Sequence, residues 1–174
     1  LLDVTSEFDN AIRASERQAA ITPSFTNYRN LGILLTRTGQ YEKALGWLRL
    51  ALQQNANDWQ THRAIGYSAD ALGQLQLAEQ HHRELVRLNP GEPDSYVQLG
   101  STLMKLENAD EGLPLLEKAC ELGPNNVQAW RALAAAYRSM GWTEKQRAAS
   151  ARADSLALVE LAKVGAVPPT VQAP

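Results

Sequence analysis

Few residues in this sequence could do chemistry, and their spacing limits what that chemistry is. His62, His81 and His82 are the imidazoles, and Cys120 is the single thiol. Neighbouring residues on a helix point about 100° apart, so His81 and His82 cannot easily share one ion. His62 and His82 fall at core positions that should face each other, and an imidazole pair can bind a metal. No third ligand accompanies them in the sequence, so the expectation is two half-buried packing histidines and no metal site. Cys120 follows Ala119 near the end of an apolar helical stretch and reads as a buried, inert thiol. Serine, histidine and aspartate occur, but nothing places a nucleophile beside its base. The sequence carries no phosphate-cradling glycine loop, no G-x-S-x-G elbow and no HExxH. Catalytic residues and cofactors are therefore not expected, and the chain is not read as an enzyme.

The arginines are patterned. Arg29 and Arg63 lie one interval of 34 residues apart (63 − 29 = 34), and Arg131 lies two such intervals past Arg63. A guanidinium fork grips carboxylates through paired bonds, so a row of them is a carboxylate-binding feature. The same interval organises the whole chain. Gly32, Gly66 and Gly100 recur at it, with Ala134 in the fourth slot. Leu31, Ile65, Leu99 and Leu133 precede these small residues, and Leu35, Ala69, Leu103 and Tyr137 follow them. A second small residue comes later in each unit, at Ala44, Ala78 and Gly112, and Pro90 and Pro124 close two units.

Steps of three and four between apolar residues predict amphipathic helices. Gly39, Gly73 and Gly141 suit the left-handed position that ends a helix, so each unit splits into two. The expected helices cover 25–37 and 41–54, 59–72 and 75–88, 93–105 and 109–122, then 127–139 and 143–164. Small residues at Gly32 and Ala44 let paired helices approach closely. Asp58 and Asn126 are candidate N-caps, Pro93 suits a first turn, and Thr143 with Gln146 has the spacing of a capping box. Pro114 lacks an N–H, so its helix is expected to start late or kink.

The pattern resembles the tetratricopeptide repeat. Tyr28, Leu31, Gly32, Leu35, Ala44, Leu48 and Ala51 carry the likeness in the first unit. His62, Ile65, Gly66, Ala69, Ala78, His82 and Pro90 carry it in the second. Tyr96, Leu99, Gly100, Leu103, Gly112, Leu116, Ala119 and Pro124 carry it in the third, and Trp130, Leu133, Ala134 and Tyr137 in the fourth. The resemblance implies an all-α fold, a right-handed superhelical α-solenoid of antiparallel helix pairs with a C-terminal capping helix. Its repeats would be 25–58, 59–92, 93–126 and 127–164, the last with an extended capping helix. Residues 1–22 look like the second helix of a truncated upstream repeat, since Phe8–Ile12 is similar to Tyr41–Leu45. That predicts further repeats before Leu1. Gln146 stands where a small residue belongs, so the last helix should pair differently or act as a cap. Leu156, Val159 and Val164 lie at helical spacing near the end, where the Pro-rich tail 165–174 or a second copy is expected to cover them.

Composition sets outer bounds. The net charge of -2 argues against a nucleic-acid-binding face. No apolar run approaches the roughly 20 residues that cross a bilayer, so no membrane insertion is expected. Cysteine poverty fits either the cytoplasm or the bacterial periplasm. The resemblance implies a protein-interaction scaffold or adaptor, with the partner lying along the inner faces of the first helices. Arg29, Asn30, Arg37, Arg63, Tyr67, Met104, Lys105, Arg131 and Arg138 are the candidate contacts. Arg29 and Arg63 could imitate the basic members of the chaperone-tail clamp, but Ile33 and Tyr67 stand where its asparagines belong. An asparagine ladder would have Asn30 alone. The expected ligand is an extended, acidic or carboxylate-bearing segment of a protein or peptide. The alternatives are a regulatory or substrate-docking segment of a larger enzyme, and a scaffold that self-assembles through the C-terminal helix and tail.

Overall fold

The computed structural model describes residues 4–163, with side chains from Glu7 onward. Expectations for Leu1, Val164 and the 165–174 tail lie outside them. The described residues form nine α-helices. They belong to two compact units, Leu1–Pro90 and Gly91–Pro174. Unit 1 holds α1 (Val4–Ile21), α2 (Phe25–Arg37), α3 (Tyr41–Gln54), α4 (Trp59–Ala71) and α5 (Leu75–Leu88). Unit 2 holds α6 (Pro93–Lys105), α7 (Ala109–Leu122), α8 (Val127–Ser139) and α9 (Thr143–Lys163). Sequential helices pair, α2 with α3, α4 with α5, α6 with α7 and α8 with α9. The architecture is an all-α helical-repeat solenoid.

Helix ends follow from their capping chemistry. The Asp58 carboxylate accepts from the Thr61 backbone N–H at 2.8 Å and starts α4. The Asn126 side chain accepts from Gln128 and Ala129 and starts α8. Thr143 does not form the expected capping box. It is already the first residue of α9, and its hydroxyl donates to the Gly141 carbonyl instead. The turns between paired helices use a left-handed residue at Gly39, Gly73 and Gly141. The α6–α7 turn places Glu107 there, with φ 60°. A side chain in that conformation costs roughly 1–2 kcal/mol against the right-handed one.

The core of unit 1 gathers Ile12, Leu31, Leu35, Leu45, Leu48 and Ile65. Burying each large aliphatic side chain contributes roughly 1.5–3 kcal/mol. In unit 2 the buried set includes Leu99, Leu103, Leu116, Leu133 and Ala136. Here α6 and α7 approach backbone to backbone. A Cβ on Gly112 would lie 3.0 Å from the Gly100 carbonyl oxygen and 3.2 Å from the Met104 nitrogen. Pro114 does not delay α7, which begins at Ala109 with Gly112 N–H donating to Asn108. Asp110, whose carbonyl Pro114 leaves without a helical donor, is exposed, so water can reach it. The last pair adapts to Gln146 by moving its contact: α9 buries Ala149 and Ala153, while Gln146 stays half-buried.

Candidate functional site

The arginine positions that look alike in sequence end in different surroundings. In unit 1, Arg29 makes an ion pair with Asp58 at 3.6 Å and lies over the Phe25 ring at 5.0 Å. It also donates weakly to Asn30 at 3.4 Å. Asp58 is the carboxylate that caps α4, so Arg29 ties α2 to the start of α4. Arg63 rests its guanidinium 4.9 Å above the Trp59 ring. Arg37 and Asn30 are exposed. Tyr67 is 55% exposed, and its ring meets Tyr41 edge-on at 6.2 Å. Thr36, one residue before Arg37, is buried and shares a 3.0 Å hydrogen bond with Ser68 of α4.

Unit 2 presents its cations differently. Arg131 and Arg138 are two helical turns apart on one face of α8, about 10 Å along the axis. Among the described residues, neither side chain has an ion-pair, hydrogen-bond or ring partner. Both line a cleft of about 210 Å³ against α9, floored by Ala134, Ala135 and Ala153 and walled by Gln146, Ser150 and Asp154. On the other flank of α8, a cleft of about 300 Å³ runs against α6. Met104, Leu116, Ala132 and Ala136 make it largely apolar, and Lys105 lies at its edge. Asp94, an acid on the same set of first helices, accepts from Asn126 at 2.7 Å.

The histidines depart from expectation. His62 meets His81, not His82, with the two Nδ1 atoms 2.9 Å apart. The His82 ring is already committed, because it fills the space over Gly66 where a Cβ would collide with it. His62 Nε2 donates to the Ala56 carbonyl at 2.9 Å, which leaves its Nδ1 as acceptor when the ring is neutral. His81 is then the donor. Burial, followed by the nearby His62, His82 and Arg49, pulls the His81 pKa from 6.5 to about 4. Among the described residues no group of three or more histidine, cysteine, aspartate or glutamate side chains is placed to hold a metal ion. Cys120 is buried, and burial pushes its thiol up to about 11, the protonated, unreactive form at neutral pH. Trp130 is half-buried, and its indole N–H donates to the Pro124 carbonyl at 3.0 Å.

Two tetratricopeptide-repeat family models match, one over residues 28–53 and one over residues 93–136. The chain carries tetratricopeptide repeats. No curated protein matches it significantly in sequence. Solved structures of MamA share the fold. One has TM-score 0.79 at 19% identity, covering 95% of this chain and 99% of that chain. A second, residues 41 to the end of MamA from Desulfovibrio magneticus RS-1, has TM-score 0.75 at 18% identity, covering 90% and 87%. A third, from MSR-1, has TM-score 0.73 at 21% identity, covering 90% of each chain.

A tetratricopeptide-repeat chain is in general a protein-interaction scaffold, of a non-enzymatic type. Among the described residues no helix is long and apolar enough to cross a membrane. Sequence reasoning placed Arg131 and Arg138 among the contact residues, but it missed the two clefts beside them. The signal was there in the run Ala132, Ala134, Ala135 and Ala136, whose small side chains leave both flanks of a tetratricopeptide first helix open.

Proposed function

We propose that this protein is an interaction scaffold that captures an extended, carboxylate-bearing segment of a partner protein on the open faces of its first helices. Arg131 and Arg138 carry this reading. Among the described residues they are cations without a partner, set in a cleft with a small-residue floor. A carboxylate entering it could take a paired bond from either guanidinium. Lys105 and Met104 border the neighbouring cleft, where charge and apolar surface would meet the same partner. In unit 1, Arg37, Arg63, Tyr67 and Asn30 offer lesser contacts, and Arg29 is held by Asp58. The test is binding of acidic against basic peptide pools at rising salt, with Arg131→Ala, Arg138→Ala and Arg63→Ala. Acidic peptides should win, salt should weaken them, and the unit 2 substitutions should cost most. Salt-independent binding, or binding indifferent to Arg131 and Arg138, overturns the reading.

Self-association through the C-terminal helix is a second reading favoured by one observation. Leu158, Val159 and Leu161 are 56%, 50% and 44% exposed near the end of α9. An apolar end of this kind is the surface that a repeat array caps or shares. Solution mass measured across concentration, with Leu158→Glu and Leu161→Glu as controls, decides it. A concentration-independent monomer excludes it.

A further inference from the structure

The two clefts of unit 2 are not separate features. Ala135 lines both of them. Around α8, Ala132, Ala136 and Ser139 face the α6 side, while Arg131, Ala134 and Arg138 face the α9 side. The helix is therefore a ridge, and Ala135 is a low point on its crest. We propose that a partner segment crosses α8 at Ala135, with an apolar side chain in the Met104 cleft and a carboxylate in the Arg131–Arg138 cleft. This rests on the carboxylate reading above and adds the recognised motif to it.

The two clefts differ in chemistry in the way such a segment needs. The α6-side cleft has Leu116, 1% exposed, at its floor and Met104 at its wall. Methionine is flexible and polarizable, so it can close around side chains of differing shape. A volume of about 300 Å³ takes one large aliphatic or aromatic side chain. The α9-side cleft is polar, with two guanidinium groups facing a single carboxylate, Asp154. Asp154 disfavours a second acid there, so the cleft selects one carboxylate and not a run of them.

Geometry sets the spacing. A helix with its side chains is about 10 Å across, so cleft centres on its two flanks are separated by a distance of that order. A segment in the polyproline conformation repeats every three residues and rises about 3.1 Å per residue. Residues three apart thus project to the same side, about 9 Å from each other. The recognised motif is apolar-x-x-acid, in one chain direction or the other.

The experiment uses fluorescence anisotropy on the full chain with synthetic peptides in a neutral glycine-serine context. Leu-Ser-Ser-Glu and Glu-Ser-Ser-Leu are compared with Leu and Glu placed adjacent, or six residues apart. One of the two three-apart peptides should bind at least tenfold tighter than either spacing control. Replacing its Leu by Ser, or its Glu by Gln, should each cost about tenfold. Arg138→Ala should reduce the sensitivity to Glu, Arg131→Ala together with Arg138→Ala should abolish it, and Met104→Ala should reduce the sensitivity to Leu. Ala135→Phe, checked for helicity by circular dichroism, should block the crossing. Because the peptide changes need no altered protein, the result does not depend on any variant folding. Acidic peptides that bind equally well without the Leu overturn the crossing and leave the carboxylate reading standing. Binding that ignores both Glu and Leu, or no binding by any of the peptides, overturns both.

Discussion

Unit 1 and unit 2 are built from the same helix pairs and carry arginine at the same repeat position, yet they use it in opposite ways. In unit 1, Arg29 is spent on Asp58, the carboxylate that also caps α4, and Arg63 lies over the Trp59 ring. The first contact ties α2 to the start of α4, and the second lies within α4. In unit 2 the position equivalent to Arg29 is Val97, the cap of the next helix start is the amide Asn126 in place of an acid, and Asp94 is taken up by Asn126. Arg131 and Arg138 are left facing open clefts. The lesson is that a repeat position does not define a binding residue. What the neighbouring loop supplies decides whether the cation is structural or available.

The largest effect should come from removing the available cations. A hydrogen bond to a charged group contributes roughly 1.5–3 kcal/mol, so Arg131→Ala with Arg138→Ala should weaken an acidic peptide by on the order of a hundredfold. Arg29→Ala should change that affinity less than about twofold, and should instead lower stability by about 1 kcal/mol through the lost ion pair. Isothermal titration and denaturant melts read the two outcomes. Equal losses of affinity from Arg29 and Arg131 would erase the distinction between the units.

Next in size is the close approach of α6 and α7. Gly112→Ala would press a Cβ onto two backbone atoms, Gly100 O at 3.0 Å and Met104 N at 3.2 Å. Neither can rotate aside, so thermal unfolding should show a loss of about 2 kcal/mol. The substitution loosens unit 2 and should weaken peptide binding with it, because Met104 is a wall of the apolar cleft. A smaller change of opposite sign is expected at the left-handed turn. Glu107→Gly relieves a strained φ of 60° and should gain roughly 0.5–1 kcal/mol, the part of the strain that glycine's own entropy cost does not cancel.

A further prediction separates the units by pH. All 3 histidines, His62, His81 and His82, lie in unit 1. His81 has its pKa lowered from 6.5 to about 4 in the fold. The unfolded chain therefore takes a proton near pH 6.5 that the folded chain refuses until about 4. Stability tied to neutral His81 is complete above 6.5 and drains away as pH falls through that window. His81→Gln should flatten the acid limb of a stability–pH curve between those values. An unchanged slope would mean that burial does not hold His81 neutral in solution.

Much of the fold was legible because its physics is local and repeated. Apolar steps of three and four, glycine at three of the helix-ending turns and small residues at close contacts mark the helices almost to the residue. The misses have physical causes. Glu107 occupies the glycine slot, and only its distance of one interval from Gly73 and Gly141 betrays it. The His62 partner was assigned to His82 because that residue has the core register, yet the register itself presses His82 against Gly66. Thr143 has the right spacing for a capping box but falls one residue inside its helix. The candidate contacts could be named from the repeat position. Their pairing could not, since Asp58 reaches Arg29 from the next helix start, a distance no periodicity encodes.

The central claim is that the partner-binding cations are those of α8 and not those of α2 and α4. Chemical-shift mapping of backbone amides, with an acidic peptide titrated into the full chain, tests it most directly. The account predicts saturable shifts clustered on α8 around Arg131, Ala135 and Arg138 and on the facing part of α9 near Ser150 and Asp154. Shifts confined to α2 and α4, around Arg29 and Arg63, would contradict it.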